Sequence, residues 1–270
     1  MLNLIKLETL SCISSIRFKI TFGILFAVSI FNFLFTCVNY YGSNSTSVNI
    51  VYNAGIMNGS RARMVFHLFI IIMPIVVCCM YSDSYYKEKK ANITTAIISR
   101  TGRKKYLIGK FIAIALISFF SVFFVLSVNE LLTYISFNKK GSYANGVEIY
   151  KLNTFYDPTS FLSYINMKLP AVYNLLLIIV NSLYASILAT FTFALSLVLR
   201  VKSLSIIVGT YAGTYLLDIF LLNVGLGDKL SMNMFQQGGA GTIQGFFFVV
   251  LLWILIIGTV FIMGLKKDTL

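Results

Sequence analysis

The chain has 270 residues, of which 58% are hydrophobic and only 11% charged, and its mean hydropathy is +0.84. A soluble domain carries about 25% charged residues, so this chain cannot coat a water-facing surface; its 15% aromatic content excludes a disordered one. The formal charge of +13, from 22 Lys and Arg against 9 Asp and Glu, fits either nucleic acid or a membrane surface, and only the placement of the charges separates the two.

A helix needs about 20 apolar residues to cross the hydrocarbon layer. Six stretches meet that length: 20–38, 64–81, 111–128, 171–199, 204–223 and 243–265. They are continuous rather than alternating, which predicts helices and not a β-barrel. The expected fold is all-α, a single six-span domain over 1–270. The stretch before the first span carries Lys6, Arg17 and Lys19. Leu2, Ile5, Cys12, Ile13 and Ile16 fall on one arc at helical spacing, which predicts a short amphipathic N-terminal helix at the inner interface. A plain basic flank is the alternative. The first span is too long for a cleaved signal, and Phe35 occupies a place where a lipoprotein cleavage box wants a small residue. Pro74 should kink the second span, and the fourth is long enough to tilt or project.

Charge placement sets the orientation. With both termini cytoplasmic, the inner segments hold 15 Lys and Arg in 57 residues, and the outer pieces 39–63, 138–170 and 224–242 hold 7 in 77. The bias runs the way inner loops require, and nucleic acid is not needed as a partner. The four cysteines, Cys12, Cys37, Cys78 and Cys79, show neither metal spacing nor a disulfide framework.

The longest inner loop, 82–110, is the most informative. Ile93, Ala96 and Ile97 stand at i, i+3 and i+4, and Ile98 widens the patch. A short helix with such a face and basic ends suits a groove on a cytosolic partner. Glu88, the apolar stretch 93–98, Arg103 and Gly109-Lys110 together resemble the loop after the second span in the membrane subunits of type-2 ATP-binding-cassette exporters. Ala91-Asn92 replaces that family's Gly-Thr, and Arg100 stands where Pro is usual. The resemblance implies a coupling helix, roughly Ala91–Arg100, seated on a separate cytosolic ATPase, with Glu88, Ile93, Ala96, Ile97, Ile98, Arg100 and Arg103 at the contact. It also implies a second, smaller contact at Arg200–Ser203 and pairing with a second permease copy or a related one. A basic loop lying against the membrane is the alternative. The chain has no phosphate loop of its own: Gly109-Lys110 has Lys104 where the first Gly belongs and Phe111 where the hydroxyl belongs. No enzymatic activity is expected of it, and ATP and Mg²⁺ belong to the partner.

Three ionisable residues lie in or beside apolar runs: His67, Glu130 and Asp218. Such groups usually face a bundle interior or an aqueous path. All three fall toward the outer leaflet, where a shared polar cluster with Asn181 or Lys139 is one reading and separate interfacial contacts the other. Asp218 and the string Gly225-Leu-Gly-Asp228 superficially match an intramembrane aspartyl protease, but Asp228 falls in an outer loop only ten residues on. A paired dyad needs two neighbouring spans. A single His with no clustered companions predicts no metal site. Asn44-Ser-Thr46 would be a glycosylation acceptor in a secretory setting, and Gly225–Gly241 reads as a turn or a re-entrant piece. The function expected is export of a hydrophobic or amphipathic substrate, such as an antimicrobial peptide, across a bacterial plasma membrane. A secondary transporter working without ATP is the alternative.

Overall fold

The computed structural model describes residues 2–43, 48, 50–59, 62–82, 84–85, 88, 93–138, 143–144, 147–148, 159–199 and 201–266. Ala91, Asn92, Arg200, Lys139 and Asn44-Ser-Thr46 lie outside them. The fold is all-α. Helix α1 (Leu2–Ser14) precedes α2 (Ile16–Tyr40) and α3 (Arg63–Tyr81). The short α4 (Ile93–Thr101) leads into the longest helix, α5 (Arg103–Ser136). Then come α6 (Ser163–Lys168), α7 (Pro170–Val198) and α8 (Ser203–Asn223). Two short helices, α9 (Gly227–Leu230) and α10 (Met232–Gln236), precede α11 (Ile243–Lys266). The β structure among the described residues is a two-residue antiparallel pair, Tyr143–Ala144 with Val147–Glu148, and an isolated antiparallel bridge between Ser160 and Ala240.

Six helices, α2, α3, α5, α7, α8 and α11, are long and apolar enough to cross a membrane. The chain is therefore a polytopic, multi-pass membrane protein by its helices. Their bounds differ from the hydropathy reading at two places. The first span begins at Ile16, because Ser15 breaks the chain there and its hydroxyl accepts from the Phe18 N–H at 3.2 Å. The third has 34 residues, about 51 Å at 1.5 Å per residue. It starts early because Gly102, at φ 78, ends α4 in a conformation only glycine adopts readily. It runs past Val128 because its polar residues there are paired within the protein.

The core centres on α7, the most buried of the six spans, which packs on α5, α11, α3 and α8. Its buried face interleaves large apolar residues such as Leu177, Leu188 and Phe193 with small or hydroxylated ones, among them Ser182, Ala185, Ala189, Thr192 and Ser196. In lipid no hydrophobic force draws helices together, so close approach over small residues does so instead. Ser182 and Thr192 return their hydroxyls to the carbonyls of Ile178 and Leu188 at 2.7 and 2.8 Å, which satisfies these two polar groups inside the apolar interior. The outward faces of α8 and α11 are apolar and exposed: Leu204, Leu216 and Phe220, then Phe247, Leu251 and Leu255. In a membrane these face acyl chains.

The segment between α8 and α11 is folded back onto the bundle. Phe235 stacks edge-on with Phe161 and Phe246 at 5.1 and 5.5 Å, and the Phe161 N–H donates to the Gly239 carbonyl at 2.7 Å. Gly238 has φ 65, and a side chain there would collide with Tyr173.

Candidate functional site

The basic end of the bundle carries α1, α4 and the start of α5. Their junction is a buried charge cluster. Lys110 is fully buried, one turn into the apolar part of α5, and two carboxylates from different elements meet it. Glu8 of α1 is 3.5 Å away, and Glu88, from the loop after α3, binds it directly and also accepts from the Tyr106 hydroxyl. Lys110 donates to Tyr106 at 3.0 Å, and Tyr81 donates to Glu8 at 2.8 Å. The Lys110 ammonium also lies 5.4 and 5.1 Å from the Tyr81 and Tyr106 ring centres, within cation–π range. A buried cation is tolerable only when paired and hydrogen-bonded in this way.

The same contact decides which face of α1 is covered. Cys12 is fully buried and Leu4 fits against Gly109, where any side chain would collide with it. Ile13 and Ile16, two other members of the apolar arc, are 50% and 68% exposed, on the side an interface would cover. The covered face of α1 thus runs through Leu4, Glu8 and Cys12. It is chosen by the partner on α5 rather than by hydrophobicity alone. Burial pushes the Cys12 thiol up to about 12, with Glu8 adding to the rise and Lys110 opposing it.

Helix α4 overlaps the stretch expected to dock on a partner, and two of its apolar residues are turned partly inward. Ile97 and Ile98 are half-buried against the core, and Thr94 is buried. The backbones of Ile93 and Ala96 continue the helix. Ser99 and Arg100 are exposed, as are Lys104 and Lys105 just beyond Gly102. Arg103 donates to the Gly264 carbonyl at 3.2 Å, tying the start of α5 to the end of α11. The surface offered at this end is basic and polar, with the isoleucines beneath it.

At the other end, the three ionisable residues do not meet. Glu130 accepts from Asn174 Nδ2 at 2.7 Å and lies against Gly55 in the buried loop 50–59. Its second oxygen is buried without a hydrogen-bond partner among the described residues. Nearby, Asn129 joins α2 to that loop, donating to the Ser29 carbonyl at 2.7 Å and accepting from the Ile56 N–H at 3.0 Å. His67 and Asp218 instead line one cavity of about 300 Å³ between α3, α7, α8 and α10, together with Ile70, Pro74, three tyrosines and Gln236. Asp218 accepts from the Ser231 hydroxyl at 2.9 Å and from the backbone N–H groups of Met232 and Asn233. It anchors the first turn of α10 to α8. Asp228 is exposed on α9. Asn181, which the sequence offered as a companion, supports the wall by donating to the Gln236 carbonyl at 3.2 Å.

Lys110, Glu8 and Gln236 were not singled out as a site by sequence reasoning. Lys110 had a legible signal, since it stands at the head of an apolar run. Glu8 and Gln236 had none, because their partners come from distant parts of the chain. No family model, curated protein or solved structure matches the chain.

Proposed function

We propose that the chain is the permease subunit of an ATP-driven exporter in a bacterial plasma membrane, forming the path for a hydrophobic or amphipathic substrate such as an antimicrobial peptide. The supporting observation is the helix Ile93–Thr101, held between the second and third spans with Arg100, Lys104 and Lys105 exposed at its end. A cytosolic ATPase supplying ATP and Mg²⁺ chemistry would dock there, and a second permease would complete the transporter. Because Glu88 and Lys110 join this region to α5, a push on α4 would reach the third span directly. Only differential contact with two conformations can drive such a shift.

The docking surface in this reading is the basic edge, not the isoleucine patch. Photo-crosslinkers placed at Arg100, Lys104 and Lys105 in cells should capture a protein bearing a phosphate loop, while one at Phe247 on the lipid-facing side should not. Capture from both positions alike, or from neither, would count against the assignment. A secondary transporter is the second reading, favoured by the titratable pair His67 and Asp218 in one membrane-depth cavity. Substrate uptake driven by an ion gradient in vesicles without nucleotide would support it.

A further inference from the structure

We propose that the cavity between α3, α7, α8 and α10 binds the ammonium head of a lipid-phase amphiphile whose tail stays in the acyl layer. The inference needs no assumption about what drives transport.

The position of the cavity comes first. Asp218 lies five residues from the end of α8, and His67 four residues from the start of α3. At 1.5 Å per residue both are about 6–8 Å inside the helix ends. That is the depth where headgroups give way to acyl chains. Ile71 and Tyr215 line the cavity and are 47% and 46% exposed. His67 is exposed as well. The cavity therefore opens sideways between α3 and α8, toward lipid.

The lining then sets the chemistry. Among the described residues that line it, Asp218 is the one carboxylate and there is no Lys or Arg. Pro74 lines the cavity too, and having no N–H it leaves the Ile70 carbonyl, four residues back and also in the lining, without its helical donor. Tyr184, Tyr211 and Tyr215 complete an acceptor-rich, aromatic wall, the surroundings that suit a cation with N–H or C–H donors. On the opposite side, Gln236 is 99% buried by its 1% exposure, and its Nε2 has no hydrogen-bond partner among the described residues. An orphan buried donor costs free energy until an acceptor reaches it. A head with an ammonium group beside a carbonyl or hydroxyl satisfies both sides of the wall at once. A volume of about 300 Å³ is at the small end of ligand pockets and fits a head rather than a whole amphiphile.

The test uses the full chain in lipid nanodiscs and three radiolabelled amphiphiles that share a dodecyl tail and differ in the head: trimethylammonium, neutral glycoside and sulfate. Displaceable binding is counted per chain. The expected result is one saturable trimethylammonium site per chain, with at least tenfold weaker binding of the other two, on the scale of one charge-assisted contact. Asp218→Asn, which keeps an oxygen for Ser231, should lower that affinity by about the same factor. Equal binding of the three heads, or ammonium binding that never saturates, overturns the proposal, as does a folded Asp218→Asn chain that binds like wild type. The head comparison is made on the unaltered chain, so it decides even if the variant fails to fold. Ammonium binding in a chain that never associates with an ATPase would leave the site standing and remove the exporter reading instead.

Discussion

Replacing Lys110 by Met keeps most of the length of the side chain but removes the cation shared by Glu8 and Glu88. Two carboxylates then face one another near α1. Removing one partner of a buried ion pair costs about 3–5 kcal/mol. Glu8 and Glu88 retain 12% and 21% exposure, so water screens part of the repulsion and the low end, about 3 kcal/mol, applies. Because Glu8 leaves with α1 while Glu88 stays, most of that cost favours undocking of α1. At 1.4 kcal/mol per factor of ten, the undocked population rises about 10²-fold. Cys12 reports it. Docked, the thiol is fully buried and held protonated up to about 12; released, it returns toward its ordinary 9.0, and only the thiolate reacts with maleimide. In a chain with Cys37, Cys78 and Cys79 replaced, Lys110→Met should speed Cys12 labelling at pH 8 by about 10²-fold. Adding Glu8→Gln should recover part of the slow rate. The sign with pH also follows: a proton-favouring docked state is stable below pH 9 and weakens as pH rises from 9 toward 12, so wild-type labelling steepens across that range. Labelling of Lys110→Met within threefold of wild type would refute the claim that this cluster holds α1.

Ile97→Asp should lower the melting temperature, because it places a charge against the chain's own core, whereas Arg100→Glu on the exposed edge should leave it unchanged; thermal unfolding in detergent distinguishes them. Asn174→Leu strands the Glu130 carboxylate and should destabilise by about 1–3 kcal/mol, with Glu130→Gln recovering most of the loss in the same assay. Gly238→Val should unseat the segment between α8 and α11, since the position needs φ near 65 and has Tyr173 against it; faster tryptic cleavage at Lys229 is the readout.

The spans were legible because burying a backbone in lipid demands long apolar helices, a requirement written in local composition. Their ends were not. Asn129 and Glu130 lower the hydropathy after Val128, yet the helix continues to Ser136, because Ser29 and Ile56 hold Asn129 and Asn174 holds one Glu130 oxygen across the fold. The contact that holds α1 was not legible, since Lys110 lies about a hundred residues from Glu8. The short helix at Ile93–Thr101 was legible from spacing, but its orientation was not: periodicity locates an apolar face without saying whether the protein's own core or a partner covers it. His67 and Asp218 stood out as charges in apolar runs. The folded-back segment that closes their cavity is too short to show a period, so Gln236 stayed invisible.

The most direct measurement on the central proposal is native mass spectrometry of the 30.3 kDa chain, tagged and released from its membrane in mild detergent. The expected assembly holds two permease chains and two copies of a phosphate-loop ATPase, and it sheds the ATPase when Arg100, Lys104 and Lys105 are all changed to Glu. An assembly made only of this chain, recovered from vesicles that still move substrate on an ion gradient without nucleotide, would contradict it.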